Sequence, residues 1–220
     1  MRPSILPNLI AALQRNADRG REDLALFEAG PDYQGDQPGD QRDIIAGARQ
    51  IAPPRHWEKP GEADGVFIVK ADALAALEAA GAPVSSLQAT ADAPSYFHPG
   101  RSGALRLGAK ALAFFGEVHP RVLKAMDVDG RVYAFEAILG AIAPAKPRAA
   151  KTKPALAASG LLALSRDFAF LVDEAVAAEA VLKAVKGADK SLIAAARLFD
   201  VYVGPGVPAG QRCQAMLLNS

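Results

Sequence analysis

The chain has 220 residues, 50% of them hydrophobic and 22% charged, which is enough apolar material for one large domain or two modest ones. Its 25 Lys plus Arg against 24 Asp plus Glu leave a net charge of +1, which excludes a polyelectrolyte tail but not a local basic patch. A lone Cys213 excludes an internal disulfide and a cysteine-based zinc site, and His56, His98 and His119 stand too far apart for a local ligand motif, so no metal site is expected.

Ser4 reads as the N-cap of a helix in which Leu6, Leu9, Ile10 and Leu13 recur at helical spacing as far as Asn16. Leu24–Ala29 and Ile44–Ala48 read as strands, with a long mobile hairpin loop, Pro31–Asp43, between them. Gly65–Val69 gives a short strand signal, and the Ala- and Leu-rich run Asp72–Ala80 is a helix closed by Gly81. Strand-like pieces follow at Gln88–Ala91, Ala104–Leu107, Ala111–Phe115 and Val132–Leu139, with a short helix opened by His119-Pro120 before the last. Close-set strands joined by turns such as Leu107-Gly108-Ala109-Lys110 predict an antiparallel sheet and an α+β class.

The composition then breaks. Ala143–Pro154 carries Pro144, Pro147 and Pro154 among Lys and Arg with no acidic or aromatic residue, the character of an extended, solvated linker. Beyond it the order is β-α-β-β. Asp167–Val172 alternates, Ala177–Lys186 is helical and ends at Gly187, Leu192–Val203 is strand, Gly204–Gly210 is a turn, and Gln211–Leu218 returns as strand. The predicted domains are 1–142, a linker at 143–165, and 166–220. No apolar stretch approaches the ~20 residues of a membrane span, and the amino terminus lacks a cleavage site, so a cytoplasmic protein is expected.

Several phrases occur together and in order: MRPSILPNLIAALQRNADRGREDLALFEAG, YFHPGRSGALRLG, AFFGEVHP, and RDFAFLVDEAV followed by KGADKSLIAAARLFDVYVGPGVPAGQRC. With them the chain resembles the carboxy-terminal part of the bacterial phenylalanyl-tRNA synthetase β subunit over nearly its whole length, least between Pro31 and Pro83. The resemblance implies a class II synthetase-like antiparallel sheet with flanking helices, then an incomplete ferredoxin-like β-α-β-β unit for anticodon binding. It implies a holoenzyme that joins phenylalanine to tRNA(Phe) with ATP and Mg²⁺, and a catalytic α subunit as partner in a heterotetramer of two α and two β. The family's β subunit is several times longer, so the chain is expected to be an excised fragment without the editing site. The last domain is expected to leave the edge of Asp167–Val172 open, because the fourth strand of that fold would pair there.

No catalytic residue, bound cofactor or metal is expected in this chain itself. The second class II motif needs an Arg two residues before its Glu, and Leu26 stands two before Glu28. A missing guanidinium of this kind typically costs about 2.7–4 kcal/mol of transition-state stabilisation. Glu117 and His119 are read as capping a helix rather than as an acid–base pair. Arg101, in His98-Pro99-Gly100-Arg101, is an anion-nest candidate, although a turn that sets it on a neighbouring carboxylate is preferred. Arg166, Lys183, Lys186, Arg197 and Tyr202 are the candidates for tRNA contact, whereas Phe168 and Phe170 are expected in the core. The competing reading is a stand-alone RNA-binding or assembly protein built from the same modules.

Overall fold

The computed structural model describes residues 2–51, 57, 64–143, 155, 160 and 162–219. The chain forms two compact units, Met1–Pro147 and Arg148–Ser220. Most of the expected linker, and His56, lie outside the described residues.

In the first unit, α1 (Leu6–Ala17) buries Leu6, Leu9, Ile10 and Leu13, a stripe at helical spacing. Ile5 occupies the N-cap position rather than Ser4, although the Ser4 hydroxyl still accepts the Leu6 N–H at 3.1 Å. β1 (Leu24–Tyr33) and β2 (Gln41–Gln50) pair antiparallel along their full length. The expected long loop is therefore shorter. The ladder continues through Asp32↔Arg42 and Tyr33↔Gln41, and a 3-10 turn at Pro38–Asp40 closes the hairpin. The cross-strand ion pair between Asp32 and Arg42 holds that extension, which composition alone could not reveal.

α2 (Gly65–Ala79) corrects the strand expected at Gly65–Val69. The β-branched and aromatic run Val66–Val69 suggested a strand, but Gly65, Val69, Ala73 and Leu77 recur every four residues and bury one helical stripe. Gly65 is required there, because a Cβ would lie 2.3 Å from the Tyr133 ring. β3 (Gln88–Thr90), β4 (Phe97–Leu107), β5 (Lys110–Val118), α3 (Pro120–Ala125) and β6 (Tyr133–Ile138) complete the unit. The Leu107–Lys110 turn is a two-residue hairpin with Gly108 at φ 61°. All pairings are antiparallel in the order β1-β2-β6-β5-β4-β3. One face packs against α1 and α3 through Ile44, Ala46, Phe97, Val118 and Val132. The other packs against α2 through Leu105, Leu112, Phe115, Tyr133 and Phe135.

The second unit comprises β7 (Ser165–Asp173), α4 (Ala178–Ala188), β8 (Ala195–Tyr202) and β9 (Gln211–Asn219), with sheet order β7-β9-β8. α4 runs past Gly187, and β8 begins later than Leu192 because the Asp189 carboxylate accepts the Ser191 and Leu192 N–H groups and holds a turn. Among the described residues of this unit only Ala196, Gln214 and Met216 are buried. Phe168, expected in the core, is 46% exposed, since the apolar layer above β7 is thin. β7 pairs only with β9 among the described strands, so its outer edge is open.

Candidate functional site

The antiparallel register places Glu28 of β1 and Glu136 of β6 on either side of Ala46, on the face that carries α1. Asp32 and Arg42 sit on the same face towards the end of the hairpin. Two carboxylates flanking a small residue on an open sheet would suit a cationic ligand or a metal. Here each is already engaged by the chain. The Arg2 guanidinium donates to Glu28 at 2.5 Å. The Ser4 hydroxyl donates to Glu136 at 2.6 Å, and the Tyr96 hydroxyl donates to its other oxygen.

Arg42 donates to both oxygens of the buried Asp32, at 3.0 and 2.5 Å. That hydrogen-bonded pairing raises the Arg42 pKa above its ordinary value, against the opposing effect of burial. Burial and the nearby Glu136 charge push the Tyr96 phenol up as well, so it remains a protonated donor. The arrangement is a closed polar cluster in which Arg2 and Arg42 each have a carboxylate partner and Glu136 is held by two hydroxyls. Sequence reasoning missed Arg2, Ser4, Asp32, Arg42, Tyr96 and Glu136. The one available signal was Glu136 itself, a charge inside the apolar strand run of β6.

Leu26 is partly buried and packs against the apolar layer beneath α1. An arginine there would bury its guanidinium in that layer, so the residue type follows from packing and says little about a lost nucleotide contact. Internal pairing of Arg2 and Arg42 is the stronger reason to expect no anion to be gripped on this face.

A second polar site lies at the ends of β4 and β5. Arg101 stands within β4, with its Nε 3.0 Å from Oε2 of the buried Glu117. The N–H does not aim at that oxygen, which is left without a hydrogen bond, so the contact is an ion pair only. His119 caps α3, its Nδ1 accepting the Arg121 N–H at 3.1 Å, and its ring stacks on His98 at 6.2 Å. Lys124, Asp127, Asp129 and Arg131 complete a mixed-charge cavity of about 440 Å³ beside Arg101 and Glu117. No group of three His, Cys, Asp or Glu gathers as a metal site among the described residues.

On the opposite face, Phe27 is 78% exposed beside a groove of about 320 Å³ lined by Ala25, Ile45, Gly47, Ala75, Ala76 and Phe135. α2 also exposes Phe67 and Ile68, so its apolar residues extend beyond the stripe buried on the sheet.

In the second unit, Gln214 and Met216 are fully buried and share one sheet face with Phe168, Phe170 and Ala196, which marks that face as the one under α4. Arg197 and Tyr202 lie on the other, bare face with Leu171 and Leu217. Arg166 belongs to the helix-side face, and Lys183 and Lys186 project from α4. The five candidates are therefore distributed around the unit rather than gathered on one plane. The Tyr202 hydroxyl donates to the Pro205 carbonyl at 3.2 Å. All five are exposed, and no Lys or Arg of this unit forms an ion pair among the described residues. Phe199, 51% exposed at a break in the β8 register, is a further exposed aromatic of this unit.

Comparison with known proteins covers both units. Residues 1–139 match the family described as phenylalanyl tRNA synthetase beta chain CLM domain, and residues 160–219 match the ferredoxin-fold anticodon binding domain. The phenylalanine–tRNA ligase beta subunit of Rhodospirillum rubrum is 53% identical over 218 residues, 98% of this chain and 27% of that protein. That of Paramagnetospirillum magneticum is 51% identical over 220 residues, 100% of this chain and 28% of that protein. The chain thus spans between a quarter and a third of the length of these relatives. Among solved structures, pyrrolysyl-tRNA synthetase from Desulfitobacterium hafniense aligns with a TM-score of 0.48 at 16% identity, over 63% of this chain and 47% of that one.

Proposed function

The chain belongs to the phenylalanyl-tRNA synthetase beta chain family, and from that premise we propose that it is a non-catalytic part of a phenylalanine–tRNA ligase. In this reading the first unit is a class II synthetase-like scaffold that supports a catalytic α subunit, and the second contributes to holding tRNA(Phe). ATP and Mg²⁺ act on the partner subunit, in a cytoplasmic heterotetramer of two α and two β chains.

One observation carries the proposal: among the described residues no Lys or Arg of the second unit has a carboxylate partner, and Arg166, Lys183, Lys186 and Arg197 are exposed, whereas Arg2, Arg42, Arg49, Arg101 and Arg106 of the first unit are paired with carboxylates. Phosphate recognition needs free Lys and Arg, and each phosphate neutralised releases counterions. Arg166, Lys183, Lys186, Arg197 and Tyr202 are the proposed tRNA-facing residues. Arg101, beside the mixed-charge cavity, keeps its terminal guanidinium nitrogens available for an anion. Phe27 and the outer side of α2 supply apolar area for a protein partner, because a helix apolar beyond one stripe is normally covered.

The test has three arms. The chain is titrated with labelled tRNA(Phe) at several salt concentrations, and binding that weakens as salt rises is expected. Co-purification with the α subunit is expected, and its failure would favour the stand-alone RNA-binding reading. ATP–pyrophosphate exchange by the chain alone is expected to be nil, and turnover would overturn the scaffold reading.

A further inference from the structure

The backbone around the mixed-charge cavity of the first unit is fixed from several directions. The β4–β5 register steps from Phe97↔Val118 to Ser102↔Gly116, so residues 98–101 bulge out opposite Glu117 alone. A bulge re-aims the side chains it carries. This one is pinned by its own bonds: the Ser102 hydroxyl donates to the His98 carbonyl at 2.6 Å, and the Gly100 N–H donates to His98 Nδ1 at 3.1 Å. It also presses on β5, since a Cβ on Gly116 would lie 2.4 Å from Ser102 Cβ. The far wall is the turn after α3. There Asp127 holds φ at 55°, a sparsely populated conformation for a residue other than glycine. Asp129 is anchored on both sides, its N–H donating to Gln14 Oε1 and its carbonyl accepting from Gln50 Nε2, each at 3.0 Å.

Between these walls Glu117 lines the cavity, with its side chain only 4% exposed. Arg101 Nε lies 3.0 Å from its Oε2, yet that oxygen accepts no hydrogen bond. A buried carboxylate oxygen without a donor is costly and calls for an explanation. Arg101 is exposed, so its guanidinium can turn outward over the cavity and uncover Oε2. That exchange selects the kind of ligand. A simple anion would draw Arg101 away and leave Glu117 buried without a counter-charge, and a simple cation would meet the Arg101 charge. A molecule carrying both charges satisfies both groups: its anionic end takes the guanidinium, and its cationic end donates to Oε2. The rim sets Lys124 and Arg131 against Asp127 and Asp129 and so favours neither sign.

We propose that this cavity binds a small zwitterion, a free α-amino acid, inserted between Arg101 and Glu117. The ammonium and carboxylate of an α-amino acid are attached to one carbon, which suits a guanidinium and a carboxylate already in contact. An ω-amino acid holds its charges too far apart. Pro120, Leu123 and Val128 line the same cavity and would receive an apolar side chain, for which about 440 Å³ leaves room.

The experiment uses the 220-residue chain without RNA, ATP or a partner subunit, so its outcome is independent of the tRNA and scaffold readings. Leucine is titrated into the labelled chain and followed by NMR of the backbone amides and the Arg101 Nε–H. Saturable shifts at Arg101, Glu117 and Gly130 are expected. Acetate, methylammonium and γ-aminobutyrate, titrated separately, are expected to bind at least about tenfold more weakly, since each leaves one charged contact unmade. Arg101→Gln and the isosteric Glu117→Gln are each expected to weaken leucine binding by at least about tenfold. The amide spectrum of each variant without ligand checks its fold, and if Glu117→Gln disturbs the core, the exposed Arg101→Gln decides. Absence of saturable shifts with leucine overturns the proposal. So do shifts confined to other regions, acetate binding as tightly as leucine, or leucine binding indifferent to Arg101→Gln.

Discussion

The two units differ in how they use charge and apolar surface. The first packs its six-stranded sheet on both faces and neutralises Arg2, Arg42, Arg49, Arg101 and Arg106 against its own carboxylates. The second buries little beyond Ala196, Gln214 and Met216, and pairs none of its described cations. Gln214 is enclosed with both amide atoms lacking a partner, which adds a desolvation cost to an already thin core. A fold with two cores and five internally paired arginines suits a rigid support, whereas a small unit whose described cations have no carboxylate partner suits a polyanionic partner.

Core truncation should break this contrast most visibly. Leu13→Ala and Met216→Ala should each cost about 2–5 kcal/mol, but with different outcomes. In urea, followed by circular dichroism, the first unit should keep a shifted cooperative transition, and the second should lose its transition altogether. Equal tolerance of the two substitutions would show that the second unit is better packed than its burial implies.

Asp32→Ala comes next. It leaves the Arg42 guanidinium without its bidentate partner and should destabilise the first unit by about 2 kcal/mol, less than the about 3–5 kcal/mol of a broken fully buried pair because Arg42 is part-exposed. The midpoint of urea unfolding checks it.

In the second unit, Lys183→Ala or Lys186→Ala should leave stability unchanged. Each should weaken tRNA binding about threefold to tenfold and reduce the salt slope by about one. Arg106→Ala, which removes an internally paired cation, should leave the affinity unchanged. Fluorescence anisotropy at several salt concentrations reads both.

The smallest effect concerns pH. Asp92 accepts from Arg106 and Thr90, and these hydrogen bonds, Arg106 foremost, hold its carboxyl at about 2, below the ordinary aspartate range. A depressed carboxylate stabilises the fold fully above its unfolded value and loses that contribution as pH falls towards 2. The first unit should therefore lose a small increment of stability between about pH 4 and 2, and Asp92→Asn should remove that increment. Carboxyl NMR titration of Asp92 measures the shift directly.

Much of the fold was legible in the chain because local periodicity and turn chemistry acted without distant help. The α1 stripe, the Gly108 hairpin, the Pro120 helix start and the β-α-β-β order of the second unit are examples. Resemblance of consecutive phrases supplied the family. What failed did so where a remote partner decided the outcome. Gly65–Val69 became helix because the Tyr133 ring and the sheet beneath rewarded a four-residue stripe over β-branched propensity. The β1–β2 hairpin lengthened because Asp32 met Arg42 across the strands.

The candidate site divides in the same way. The exposed cations of the second unit could be named from the sequence, since a Lys or Arg without an apolar neighbourhood is solvated wherever the chain places it. The closed network of Arg2, Ser4, Tyr96 and Glu136 could not. Its members come from positions far apart in the chain, and only strand register brings donor and acceptor within hydrogen-bond reach. Composition and pattern thus determined which segments would fold and which charges existed. Tertiary pairing decided which of those charges found a carboxylate partner, because that depends on contacts between residues that are distant along the chain.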